Sequence, residues 1–279
     1  GLLPGPGGPF RRMPMTTDPL QVPATARRAD RAFAALATGA GVAILALLAG
    51  VAIFLLAEAW PAITAPAEEL PGGEGLLAFV APLAFGSVLA AALALALAVP
   101  LAVAVSLFIT QYAPRRLAGP LGFLVDLLAA VPSVIYGLWG IAVLGPATVG
   151  LHRRLEEHLG FLPFFAGPAS TTGRTMLVAG LVLAVMILPI VCAVTREAFA
   201  RTPRAQVEGA LALGATRWEA IRVTVLPFGR SAIGGGALLG LGRALGETMA
   251  VTIILSVSGG VTLNLIGSGN PSTIAANIA

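Results

Sequence analysis

Residues 202–227 read TPRAQVEGALALGATRWEAIRVTVLP, a polar segment set between two long apolar runs. Its local signals describe two short helices around a turn. Thr202 before Pro203 is a helix start, because the hydroxyl is suited to cap free amides and proline tolerates a first-turn position that needs no amide donor. Gly214, just past the last apolar repeat, ends the first helix, since glycine takes the left-handed conformation without a Cβ clash. Thr216 and Glu219 then have the spacing of a capping box, in which each side chain satisfies an amide near the other. The second helix is predicted to start near Arg217 and to end at Pro227.

Composition places this segment beside a bilayer. The chain has 279 residues, 57% hydrophobic and 11% charged, with mean hydropathy +0.91. That is too apolar for an ordinary soluble domain. Five apolar runs, 33–56, 80–112, 121–149, 175–195 and 231–258, are long enough to span at about 20 residues per crossing. Residues 274–279 look like the start of a sixth. Pro100 predicts a tilt or kink in the second run, and the glycines and proline of VPSVIYGLWG, 131–140, predict close helix contact or an irregular stretch. The loop at 152–173 is expected to carry a short helix over 153–159, and residues 1–32 are read as a flexible tail.

All 17 basic residues are arginine. Arg27, Arg28, Arg31, Arg115, Arg116, Arg196 and the arginines of 202–227 fall on one side of this topology, and Arg153, Arg154 and Arg174 on the other. The glutamates of 58–74 have no arginine beside them. The N-terminus and the 202–227 loop are therefore predicted to be cytoplasmic. The same clustering explains the pI near 10.5 without nucleic acid. Cys192 stands alone, which excludes a disulfide framework within this chain. His152 and His158 lack ligand company, so no metal site is expected. No G-x4-G-K-[ST] phosphate loop occurs, so energy must come from a partner.

Arg243 and Glu247 lie near the middle of the fifth run, one helical turn apart and so predicted to share a face. Charge at that depth costs about 2.5–3.5 kcal/mol per residue, which requires that face to meet protein or water. An arginine fork suits an oxyanion with several oxygens. The competing reading is mutual neutralisation that clamps two helices. Arginine before glutamate is the weaker order for a local pair. Asp126, close to the end of its run, is expected to reach the interface.

Glu208-Gly209-Ala210, three residues, Gly214, nine residues and Thr224-Val225-Leu226-Pro227 resemble the EAA loop of ABC-importer permeases, E-A-A-x3-G-x9-I-x-L-P. Gly209 and Thr224 depart from the usual alanine and isoleucine. With LGRALGETMAV at 241–251, AAVPSVIYGLWGIAVLGP at 129–146, FAGP and VMILPI, the chain is similar to the C-type permeases of bacterial phosphate-specific ABC importers from about residue 33 onward. The resemblance implies an all-α, polytopic membrane protein with the type I importer permease (MetI-like) fold. It implies a heterodimer with an A-type permease, two copies of a cytoplasmic ABC ATPase that binds ATP and Mg, and an extracytoplasmic phosphate-binding protein, at the bacterial inner membrane.

In that family the loop is the coupling helix, which puts Glu208, Gly209, Ala210, Gly214, Ala215, Leu226 and Pro227 at the ATPase contact. Arg243, Glu247 and Thr248 are implied to line the substrate pathway. No catalytic residue, metal or cofactor is implied in this chain. Another oxyanion or small solute as cargo remains compatible with the loop. An uncoupled channel or scaffold would leave the loop spacing unexplained.

Overall fold

The computed structural model describes residues 24–70, 73, 75–255 and 260–278, and every regular element among them is helical. Helix α1, Ala24–Thr64, is 41 residues long, belongs to a unit of its own, and is long and apolar enough over Asp30–Thr64 to cross a membrane. It begins ahead of the start at residue 33 read from hydropathy. Residues 1–23, where most of the tail was expected, lie outside the described residues.

The second unit begins with a 3-10 turn, Ala67–Glu69, and α2, Leu76–Leu107, which closes in a π turn, Phe108–Tyr112. Helices α3, Arg115–Ala129, and α4, Ser133–Trp139, follow. A π turn at Gly140–Leu144 joins α4 to α5, Gly145–Leu159. Helix α6, Met176–Ala200, leads to α7, Arg204–Ala212, and α8, Arg217–Ala220. A π turn at Ile221–Val225 then runs into α9, Leu226–Leu245, followed by α10, Met249–Ile254, and α11, Ile274–Ile278. Four stretches are long and apolar enough to cross a membrane: Asp30–Thr64, Leu76–Tyr112, Ser133–Leu159 and Met176–Ala200.

The centre of this unit is α6, packed against α2 and α9. Ala90, Ala94, Ala98 and Ala102 recur every fourth residue, so they form one small-residue face of α2, and all are buried. Small residues let helix backbones approach where the bilayer supplies no hydrophobic drive. On α9, Gly236 and Gly240 do the same: a Cβ on Gly236 would lie 3.3 Å from Val191 Cα, and one on Gly240 3.2 Å from Val191 Cγ2.

Two apolar runs are broken. Pro132 disfavours the helical conformation at Val131, so the third run divides into α3 and α4, and the Tyr136 hydroxyl donates to the Leu128 carbonyl across the break at 2.7 Å. The expected close contact in VPSVIYGLWG is present: Gly137 lies against α10, where a Cβ would stand 2.9 Å from Ala250 Cα. The helix foreseen over 153–159 is the end of α5, and His152 there is fully buried with no partner for either ring nitrogen among the described residues. The fifth run divides at Gly246, which corrects the expectation of one continuous helix carrying both charges.

After α10 the polar stretch turns inward. The Leu177 amide donates to Leu265 O at 2.9 Å, the Met176 amide to Asn270 Oδ1 at 3.1 Å, and the Ile274 amide to Ser87 Oγ at 2.9 Å. A Cβ on Gly86 would overlap the Ser272 carbonyl. This strap therefore ties α2 to the start of α6. Overpacking a backbone contact costs about 1–3 kcal/mol, so Gly137→Val should lower the melting temperature of the detergent-purified protein. Gly119→Val, at a position where a Cβ meets nothing within 4 Å, should leave it unchanged.

Candidate functional site

The 202–227 segment folds as two helices around Gly214, whose φ of 88° is the left-handed value the sequence required. The Gly214 amide donates to Leu211 O at 3.0 Å and that of Ala215 to Ala210 O at 3.2 Å, closing α7. The capping box is formed: the Glu219 amide donates to Thr216 Oγ1 at 3.3 Å and the Thr216 amide to Glu219 Oε2 at 2.8 Å. The Thr216 amide first, and then the Thr216 hydroxyl, which itself donates to Oε2 at 2.8 Å, hold the Glu219 carboxyl below its ordinary range.

Two details of the expected segment are corrected. Pro203, extended at φ −60° and ψ 122°, takes the cap position of α7. Thr202 is thereby left in the closing turn of α6, its amide bonded to Phe199 O, and its buried hydroxyl has no partner among the described residues. The second helix also does not end at Pro227. The π turn closes with the Leu226 amide on Ile221 O, one residue farther back than an α-helical bond. Pro227 then occupies the first turn of α9, where its missing donor costs little.

The α7–α8 turn presents Leu213, 92% exposed, with Leu211, Trp218 and Glu208. Gly209 and Gly214 are exposed beside them, and Ala210 and Ala215 are half-buried. Leu226 instead packs on Leu107, Phe199, Ile221 and Val225. Glu208 also borders a cleft of about 510 Å³ with Gln111, Arg196, Glu197 and Arg204. Arg196 Nη2 donates to both Asp126 oxygens, at 2.8 and 3.1 Å, and Gly122 leaves room for the guanidinium. Asp126, expected simply to reach the interface, thus ties α3 to α6.

Within the fifth run, Arg243 is exposed in the last turn of α9 and Glu247 is buried beyond the break. They form no ion pair. The Glu247 carboxylate instead accepts from the Ala250 amide at 3.0 Å. The reason is local: once Gly246 ends α9, the first amides of α10 need an acceptor, and negative charge is favoured at a helix N-terminus. Thr248 stands at the start of α10, and its carbonyl accepts from the Thr252 hydroxyl at 2.8 Å. At the other end of α10, Arg174 Nη2 donates to Ile253 O at 3.0 Å and Nε to Ile254 O at 3.4 Å.

Residues 98–277 match the family described as binding-protein-dependent transport system inner membrane component. The chain belongs to that family. It is 46% identical over 258 residues to the phosphate transport system permease protein PstC 2 of Mycobacterium tuberculosis, covering 86% of this chain and 80% of the relative. It is 37% identical over 276 residues to PstC of Mesorhizobium japonicum, covering 92% and 81%. The probable PstC of Methanocaldococcus jannaschii is 38% identical over 221 residues, covering 79% and 67%.

As an inner membrane component of a transport system, the chain is a multi-pass membrane protein and a permease-family subunit, with the all-α fold expected of it. Its structure gathers Glu208 to Ala215 on one exposed turn and leaves Leu226 in a core. It sets Arg243 and Glu247 on opposite sides of a helix break. Tyr136 and Arg174 were not singled out as site residues from sequence. Tyr136 bonds a carbonyl eight residues away, a spacing no helix motif reports, and Arg174 reaches partners 79 and 80 residues away.

The capping box gives a pH test. With its folded pKa depressed, Glu219 contributes stability that is complete above the unfolded carboxylate value of about 4.3 and is lost as pH falls through the lower folded value. The protection of the Thr216 amide from hydrogen exchange, relative to the intrinsic rate at each pH, should fall over that acidic window. Glu219→Gln should abolish the pH dependence, and an unchanged profile in that variant would remove the box as its cause.

Proposed function

We propose that this chain is the C-type permease subunit of an ATP-driven phosphate importer and forms half of a translocation pathway that works by alternating access. The observation that carries the reading is one helical path. The exposed turn at Leu213 leads through α8, the π turn and α9 directly to Arg243. Twenty residues of α9 span about 30 Å, so a push on the turn displaces the guanidinium. The phosphate assignment draws support from relatives named as phosphate transport system permeases.

In this reading the turn carrying Glu208, Gly209, Ala210, Gly214 and Ala215, with Leu213 and Trp218, seats in a groove of a cytoplasmic ABC ATPase. Leu226 and Pro227 fix its junction with α9. Two ATPase copies bind ATP and Mg, and this chain binds no cofactor. An A-type permease forms the other half of the pathway, and an extracytoplasmic binding protein delivers phosphate and selects it against other oxyanions. In this reading the N-terminus and the coupling turn are cytoplasmic, at a bacterial inner membrane, and the arginine bias supports that orientation.

Arg243 receives the anion through its exposed fork of donors. Glu247, occupied by the Ala250 amide, holds the break beside the arginine and limits the net positive charge the anion meets. Thr248 borders the same break. Hydrogen bonds to charged groups are worth about 1.5–3 kcal/mol, so Arg243→Gln should cut phosphate uptake about 10- to 100-fold in proteoliposomes holding the whole complex. Binding-protein-stimulated ATP hydrolysis should persist. Unchanged uptake would remove Arg243 from the pathway, and uptake of sulfate in preference to phosphate would overturn the assigned cargo.

A further inference from the structure

The coupling segment is continuous in sequence with α6 on one side and α9 on the other, whereas α2 reaches it only through side chains. One set of contacts is apolar: Ile221 and Val225 enter a cluster with Leu107, the last residue of α2, and with Phe199. The other set is polar. Arg217 precedes Ile221 by four residues, one helical turn before the apolar cluster. Its Nη2 donates to the Gln111 carbonyl at 2.5 Å, and its guanidinium stands over the Tyr112 ring, 5.1 Å from the centroid.

Gln111 and Tyr112 belong to the π turn that closes α2. Carbonyls of a final helical turn have no later amide in the helix to accept from, and the negative end of the helix favours a cation there. A planar guanidinium meets both demands, donating in its plane to the carbonyl while its face covers an aromatic ring.

We propose that Arg217 is a positioning residue that latches the coupling turn to the end of α2, so that a movement imposed on α7 and α8 passes to α2 as well as to α9. This rests on reading the α7–α8 turn as the ATPase contact. Helix α9 moves with the turn because the chain is covalent. Helix α2 packs on α6 and α9 along its length, but it meets the coupling segment itself through the apolar cluster and this latch. Loss of the latch leaves α9 driven and α2 lagging, and nucleotide hydrolysis then continues without a matching step in the pathway.

The test is the number of phosphate ions imported per ATP hydrolysed by the complete transporter in proteoliposomes, with the binding protein saturating. A cation–π contact at an exposed site is worth about 0.5–1 kcal/mol, equivalent to roughly a 2- to 5-fold effect. Arg217→Gln and Tyr112→Leu should each lower the ratio by about that factor while stimulated hydrolysis persists, and Tyr112→Phe, which keeps the ring, should restore it. An unchanged ratio in Arg217→Gln overturns the proposal, and so does a parallel fall in uptake and hydrolysis.

A second readout separates this proposal from the transport reading. Spin labels at Phe108, exposed in the π turn that closes α2, and at Arg222, in the assembled complex in detergent, report the separation between the end of α2 and the coupling segment. A distance distribution that broadens in Arg217→Gln supports the latch even if the wild-type complex imports no phosphate, a result that would instead overturn the cargo. An identical distribution in the two proteins removes the latch.

Discussion

In a hydrocarbon interior every backbone amide and carbonyl must find its partner within the protein, and this chain interrupts two of its apolar runs. Each interruption frees polar groups that a continuous helix would have satisfied. At the first, the Tyr136 hydroxyl takes the Leu128 carbonyl. At the second, Glu247 takes the Ala250 amide, and Arg174 closes the far end of the same short helix on Ile253 and Ile254. The two interruptions are neighbours because Gly137 brings α4 onto the backbone of α10. Arg243 remains exposed beside them. The irregularity is thus confined to one place and supported there by specific side chains, and that lets a cationic group stand in a largely apolar chain.

What could be read from the sequence follows the range of the interactions involved. The turn at Gly214 and the Thr216–Glu219 box depend on residues at most a few positions apart, and both stand as their spacing prescribes. Hydropathy located the apolar runs, because burial in lipid is a property of composition over a window. Where it placed boundaries it missed helical turns that polar residues line, as in α5, and it ran past the end of α10 at Ile254. The shared face expected of Arg243 and Glu247 failed for a different reason. Four-residue spacing places two side chains together only if the helix is unbroken, and Gly246 ends it. Thr202 failed because the following proline claimed the position its hydroxyl was expected to serve.

The ties between helices were beyond any local pattern. Asp126 meets Arg196 across 70 residues and Arg217 meets Gln111 across 106. Nothing in the composition of either neighbourhood marks the other. Such charges read individually as interfacial arginines and an acidic residue near a membrane surface. Their arrangement instead joins α8 to the π turn that closes α2, and α3 to α6, with Gln111 and Arg196 on one cleft, beside an apolar body in which alanine and glycine supply close approach rather than specificity.

The strap that follows α10 bears on how the protein is made. Its bond to Ser87 joins residues 187 positions apart, so the docking face of α2 emerges long before the segment that covers it. Contacts of such sequence separation form late, after the loop-closure entropy has been met. During synthesis α2 is therefore held by α6 first and receives the strap last, and the nascent permease passes through a stage in which Gly86 and Ser87 face an open groove. A chain interrupted before residue 270 would keep that groove open, presenting a surface to quality-control proteases that the finished subunit has closed.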